Sequence, residues 1–349
     1  MNVRSALACA AGLLYAALSP AGCSGAPSGD GGANADAGAE TLEDAGTGVI
    51  PPAADSGAVV DAGGGSVADD AGGGGTADAG HPSGGDAAVD AGNDAGPSTP
   101  AIKAVMYLPN WSGSFSSWAT KIDFTKMTHL NLAFGTIDSN SDWNMGASDS
   151  DVQALAKAAH DHQVKVLVSI GGADDDLGIL NQYGSASNIA PMVANLDAMV
   201  TRLDLDGVDV DLERGAMMKS SSNYPAFVKA LVATFRPKGM LVTTALAQYI
   251  AQDANTDATL QAVYQSFDFI NDMIYTTNLS DYTSEAAWWT GSQGIDKTKL
   301  CLGVEFTSGL STSTAVKLTQ TSKDYGGVMI WEYSQPTEGT LWPAVQGAL

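Results

Sequence analysis

Eight short β-rich runs, helix-like segments between them, and a total of 249 residues from 101 to 349 predict an α/β protein folded as a closed (β/α)8 (TIM) barrel. The runs are KAVMYL (103–108), THLNLAFG (128–135), VKVLVSIGG (164–172), DGVDVDLE (206–213), MLVTTAL (240–246), FDFINDMIY (267–275), KLCLGVEF (299–306) and GGVMIWEY (326–333). Apolar positions at helical spacing mark 149–163, 190–205, 223–239, 257–267 and 313–326, two of which end in Gly. An open doubly wound sheet is the rival. It would carry a Gly-rich phosphate loop after an early strand, whereas SIGGADDD follows its Gly pair with three acidic residues that repel phosphate.

Composition divides the chain into three parts: 1–23, 24–100 and 101–349. The formal net charge is −23. Residues 24–100 hold 13 Asp or Glu and no Lys or Arg; residues 101–349 hold 26 acidic and 15 basic residues, and Arg4 is the remaining base. A chain this acidic repels phosphate, which argues against nucleic acid as a partner and for neutral or cationic ligands.

Residues 1–23 read as an export signal, with Arg4 followed by an apolar run from Ala6 to Leu18 that is too short to span a bilayer. Ala21-Gly22-Cys23 resembles the end of a bacterial lipobox, although Pro20 stands where that box usually has Leu. The expectation is a protein outside the cell or at its surface, tethered to a membrane through lipid on Cys23. An ordinary signal peptide cut near Ala21 or Gly22 is the alternative. Residues 24–100 are Gly, Ala, Asp, Ser and Pro with DAG recurring and no aromatic residue. Such a stretch buries too little apolar surface to offset chain entropy, so it is expected to be a disordered linker spanning roughly 44–53 Å. Its Asp spacing is too irregular for calcium repeats. All seven Trp lie beyond residue 100, in the part that folds. Beyond Cys23 the only cysteine is Cys301, so that part has neither a disulfide nor a Cys-based metal cluster. No metal or cofactor is expected, and the protein is expected to be a monomer.

The densest chemistry lies in LDGVDVDLERG (205–215). On a strand, Asp209, Asp211 and Glu213 share one face, about 6–7 Å apart, while Val208, Val210 and Leu212 share the other. Like charges so spaced are costly unless something uses them. In a parallel barrel catalytic groups gather at the C-terminal ends of the strands, so Glu213 belongs at the mouth, with Asp211 and Asp209 successively deeper. Residues 202–213 also approximate a twelve-residue calcium loop, with Asp204, Asp206, Gly207 and Glu213 in register. Arg202 in the first ligand position, Asp209 in a position that should be apolar, and no following helix argue against it.

DGVDVDLE resembles the DxxDxDxE signature of family 18 glycoside hydrolases, the chitinases and their relatives, with Asp206, Asp209, Asp211 and Glu213 in place. VLVSIGG resembles the family's SxGG (Ser169, Gly171, Gly172), DMIYTTN its active-site tyrosine segment (Tyr275), and GVMIWEYSQ its closing strand (Trp331). VMYLPNW, with Tyr107, fits the first strand. The resemblance implies a retaining reaction in which the substrate's own N-acetyl carbonyl is the nucleophile. It makes Glu213 the general acid and then base, and Asp211 the group that orients the acetamido N–H. Tyr275 donates to the acetamido carbonyl, Trp331 floors the cleaved sugar, and Asp209 lies deeper, sharing a proton with Asp211. Crowded carboxylates raise at least one pKa, which keeps a proton available near neutrality.

The implied substrate is an N-acetylglucosamine-containing polysaccharide or glycan, chitin first, with endo cleavage. An endo-β-N-acetylglucosaminidase acting on N-glycans, a glycan-binding protein that has lost catalysis, and a structural surface protein are the alternatives. Ser169 either supports Asp209 or is a plain core hydroxyl, and Gly171 and Gly172 permit a tight turn. Together with Ser169, Gly172 and Tyr107, Gln248 after the fifth run is a candidate for the cleft. Asp206, out of phase with the other acids, suits a structural pairing. Trp111, Trp288 and Trp289 either stack sugars or pack, and His129, His160 and His162 read as bystanders. Thr276 stands where many chitinases have Asp, and Glu305 where many relatives have an apolar residue or Pro. Gly327 comes only 26 positions after Cys301, too few for the small domain that some relatives insert there, so an open groove is expected.

Overall fold

The computed structural model describes residues 102–138, 140–173, 185–213, 222–252, 254–306, 309–333 and 338–349. The signal expected at 1–23, Cys23 included, and the linker expected at 24–100 lie outside the described residues.

Eight parallel strands close into a ring. They are β1 (Lys103–Pro109), β2 (His129–Ile137), β4 (Lys165–Gly171), β5 (Gly207–Asp211), β6 (Leu241–Leu246), β7 (Ile270–Asp272), β8 (Leu300–Glu305) and β9 (Gly327–Trp331). Each pairs with the next, and β1 closes the ring by pairing with both β2 and β9. A two-residue strand, β3 (Trp143–Asn144), adds an antiparallel edge to β2. The (β/α)8 barrel expected from the sequence is present.

Helices cover the outside: α1 (Phe115–Trp118), α2 (Asp149–Asp161), α3 (Ala186–Arg202), α4 (Asn223–Phe235), α5 (Gln248–Ala251), α6 (Ala254–Gln261), α7 (Leu279–Gly291), α8 (Thr312–Ser322) and α9 (Glu338–Ala348). The start of α2 shows how sequence sets an element. Ser148 caps it by accepting from the Asp151 N–H, Asp149 and Asp151 face the positive end of the helix dipole, and Val152, Leu155, Ala156 and Ala159 form its buried stripe. Helices α1, α5, α7 and α9 were not expected from periodicity. In α7, LSDYTSEAAWWTG, small polar residues mask the stripe of Tyr282, Ala286 and Trp289, and the start is set by the Asn278 side chain accepting from Ser280 N–H.

Alternation along the strands separates two cores. Outward residues, such as Met106, Leu108, Val208, Val210 and Leu212, pack under the helices. Inward ones, Val105, Tyr107, Ala133, Ala245, Phe269, Cys301 and Met329, fill the barrel. Each fully buried Val or Leu contributes about 1.5–3 kcal/mol, so the apolar face of β5 offsets much of the strain on its acidic face. The strand ends at Asp211, two residues before the sequence expectation, and Glu213 sits beyond it in the loop at the mouth.

Candidate active site

Asp209 lies at the centre of the barrel and is wholly buried. Four donors from four different strands converge on it. Tyr107 Oη (2.7 Å) and Ser169 Oγ (2.8 Å) donate to Oδ2; Thr243 Oγ1 (2.6 Å) and Asn271 Nδ2 (3.3 Å) donate to Oδ1. Asn271 Nδ2 also donates to Tyr107 Oη at 3.0 Å. Hydrogen bonds to a charged group are worth about 1.5–3 kcal/mol each, comparable in total to the several kcal/mol that burying a carboxylate costs. The two nearly cancel. Burial pushes the Asp209 carboxyl above its ordinary value, and the four donors pull it back without cancelling the push.

Asp211, next on the inward face, is also buried, and its main-chain carbonyl accepts from Gly172 N–H at 2.6 Å. Its charge acts on both Tyr107 and Tyr275 and helps hold both hydroxyls protonated. Glu213, half-buried, stands above it and acts on Tyr275 as well. Tyr275 follows β7 and is 38 % exposed. Loss of solvent around its hydroxyl pushes that group well above its ordinary value, and the charges of Asp211, Glu213, Glu305 and Asp272 add to the push. Tyr275 therefore keeps its proton near neutrality and is available as a donor. Tyr107 is held up in the same way, by burial first and then by Asp209 and Asp211.

An aromatic wall borders the acids. Trp331, half-buried at the end of β9, meets Tyr107 edge-on (centroids 5.8 Å apart), stacks near Phe134 (6.0 Å) and touches Trp111 (6.4 Å). Trp111 is 53 % exposed and continues the wall outward. The peptide bonds Ala133–Phe134 and Trp331–Glu332 are cis. Glu305 ends β8 in register with Trp331 and has the inward parity of Cys301 and Gly303. Burial, then the charge of Glu332, raises its carboxyl.

Several expected residues take up other positions. Tyr107 and Ser169, offered as substrate contacts, are wholly enclosed and spend their hydroxyls on Asp209; they support the acid rather than line the groove. Gly172 is likewise a packing position. Its φ is +81°, and a Cβ there would come within 2.6 Å of the Phe134 ring. Gln248 begins α5, just past the C-terminal end of β6, half-buried, and keeps its place as a candidate for the cleft. Trp289 is core, 0 % exposed, and Trp288 packs on it at 4.8 Å, so this pair does not present a sugar platform. Asp206 is structural as expected: it accepts from Lys165 Nζ (2.6 Å), Val166 N–H (2.8 Å) and His160 Nε2 (2.8 Å) at the bottom of the barrel. That contact removes His160 from the bystanders, and the bond from Lys165 turns a calcium-loop carboxylate toward an ammonium group instead. Thr243, Asn271 and Phe134 were missed. A polar residue at inward parity within an apolar run was the available signal for the first two.

The sequence model of Glycosyl hydrolases family 18 matches residues 103–320, well over half the chain. An acidic endochitinase of Cicer arietinum is 27% identical over 212 residues, covering 53% of this chain and 68% of that protein. A chitinase-like effector of Moniliophthora perniciosa is 31% identical over 119 residues; the match spans 33% of this chain and only 27% of that longer protein. Among solved structures, the GH18 chitinase ChiB of Flavobacterium johnsoniae superposes with a TM-score of 0.62 at 24% identity, covering 72% of this chain and 94% of that one. The barrel, the acidic strand and the family match agree: the chain belongs to family 18 of the glycosyl hydrolases, and with it to the glycoside hydrolases.

Proposed function

We propose that the protein hydrolyses β-1,4 linkages beside N-acetylglucosamine, in chitin or its oligosaccharides, by a retaining reaction that uses the substrate's acetamido group. The observation that carries this reading is the convergence of Asp209, Asp211, Glu213 and a protonated Tyr275 under one aromatic wall. Glu213, the most accessible of the three acids, protonates the leaving oxygen and later accepts a proton from water. Asp211 orients the acetamido N–H so that its carbonyl oxygen attacks the anomeric carbon, and Tyr275 donates to that oxygen as charge develops. Asp209 fixes the floor of the site and raises the cost of a second full charge at Asp211, so that a proton is shared between them. Trp331 packs under the sugar, and Trp111 extends the platform to the next one.

Endo cleavage in an open groove is supported by the β8-to-β9 connection, in which α8 takes up most of the span and leaves no length for an inserted domain. Thr276, where many relatives have Asp, has its hydroxyl engaged with the Asn278 N–H at 3.1 Å. It shapes the loop rather than the charge, which favours a rate or preference different from those relatives. The N-terminal signal and acidic linker support an exported enzyme held at the membrane through Cys23.

The test is product analysis of chitin oligosaccharides of four to six units, with Glu213→Gln beside the parent. Shorter oligomers of β configuration from the parent alone are expected. Cleavage by the variant would overturn the acid assignment. Cleavage by neither protein, with release of the glycan from a high-mannose glycopeptide, would assign the N-glycan reaction instead.

A further inference from the structure

A second carboxyl pair lies behind the active site, on the opposite side of β7. Asn271 uses the inward face of that strand, so Asp272 points outward, toward α7. It is wholly buried, and no N–H or O–H meets either of its oxygens at full hydrogen-bonding geometry among the described residues. What faces it is another acid. Tyr282, Ala286 and Trp289 form the buried face of α7, and Glu285 lies on that same face, half-buried, with its carboxyl against that of Asp272. The main-chain N–H of Gln248, at the start of α5, donates to Glu285, and the Trp289 indole N–H faces Asp272 short of full geometry.

The other titratable groups around the pair do not neutralise it. From α7, the Tyr282 hydroxyl is engaged with Ser322 at 2.8 Å. Beside β7 the Cys301 thiol of β8 is pushed up to about 12, so it is uncharged. The Tyr264 ring lies edge-on to Trp289, and Tyr275 stands above with Asp211, Glu213 and Glu305. The charge that acts on Asp272 is the negative one of Glu285. Two ionised carboxylates in contact, one without solvent, are mutually repelling, whereas one proton between them makes a short charge-assisted bond.

We propose that Asp272 and Glu285 share one proton, that this bond holds α7 to β7, and that it thereby positions Tyr275, three residues beyond Asp272. The role assigned to Tyr275 rests on the hydrolytic reading above; the clamp itself does not. Burial, and for Asp272 the neighbouring Glu285 charge, raises both carboxyls above their ordinary range. The folded state thus holds a proton that the unfolded chain releases. Its stabilisation is complete below the ordinary carboxylate range and is lost as pH rises through the raised value.

The experiment compares the parent with Glu285→Gln and Asp272→Asn. In either variant an amide N–H replaces the shared proton with a donor that cannot titrate. Three readouts are taken from pH 4 to 9: Tm, hydrogen exchange across 273–285 corrected for intrinsic rate, and kcat on chitin oligosaccharides. In the parent, Tm is expected to decline with pH, and protection of 273–285 to fall about tenfold per pH unit over the titrating range. In Glu285→Gln both are expected to flatten, with kcat retained to higher pH. Asp272→Asn gives the reciprocal check should the first variant fold poorly. Parallel Tm profiles for the parent and both variants would overturn the shared proton. A flattened Tm with unchanged exchange at 273–285 would overturn the positioning role. A parent that cuts no oligosaccharide would defeat the hydrolytic reading and with it the role given to Tyr275, while Tm and exchange would still decide the clamp.

Discussion

The hydroxyl of Tyr107 on β1 donates to Asp209 on β5 through the barrel interior, at 2.7 Å. Two strands that are not neighbours in the ring are thus joined through one proton. Tyr107→Phe removes that donor and leaves Asn271 without one of its acceptors. Losing one bond to a buried charge costs about 1.5–3 kcal/mol. Where the loss reaches the transition state, kcat falls by about 10- to 100-fold. Thermal unfolding and turnover of the variant check this; an unchanged Tm and kcat would mean that Asp209 does not depend on Tyr107.

Tyr275→Phe isolates a donor rather than a support. The aromatic ring remains, so folding is expected to be unaffected, while kcat on N-acetylated oligomers falls about 10²–10³-fold, as when one oxyanion donor is removed. Equal loss of ligand affinity and kcat would assign Tyr275 to ground-state binding instead.

Gly303 on β8 supports that tyrosine from below. A Cβ there would come within 2.5 Å of the Asp272 carbonyl oxygen and 3.2 Å of both the Ile274 nitrogen and the Tyr275 ring. Gly303→Ala must push the β7–α7 connection aside. The variant is expected to lose activity at least tenfold while Tm drops by a few degrees, since the first two obstacles are backbone. Wild-type kcat in Gly303→Ala would show that the connection yields without moving the hydroxyl.

Asp206 tests the bottom of the barrel. Burial pushes its carboxyl up, but bonds from Lys165, the Val166 N–H and His160 outweigh this and hold it below its ordinary value. Its contribution is therefore present above the unfolded carboxylate value, about 3.9, and disappears as pH falls through the lower folded one. Asp206→Asn is expected to cost about 1–3 kcal/mol at pH 7, with kcat intact, and the Tm gap to the parent should close below about pH 4. A gap of constant size down to pH 2 would remove Asp206 from the acid response.

Most of the barrel was legible because its strands are short apolar runs that little else can explain. The acids of β5 were legible because period-two alternation assigns faces without any knowledge of neighbours. The donors to Asp209 were only half legible. Ser169 could be offered as a support, but Thr243 and Asn271 sit in runs whose partners are fixed by register, and register is a property of the closed ring. Tyr107 was assigned to the cleft for the same reason: the sequence shows that it faces inward, not how deep. Strand lengths came out a residue or more too long at several ends, most visibly at β7. There the strand ends at Asp272, although the Met273 N–H still donates to the Leu246 carbonyl at 2.8 Å.

Strand β1 lies between β2 and β9, with Lys103 opposite Gly327. The first strand of the domain therefore cannot be fully paired until the last has been made. Asp209 receives a donor from β1 and Trp331 arrives on β9, so no N-terminal fragment of the domain can hold a working site. Assembly of this protein is a closing event, dominated by contacts distant in sequence and slow by that measure. A chain that lacks its final strand should be bound by chaperones or degraded, and should not survive as a weaker enzyme.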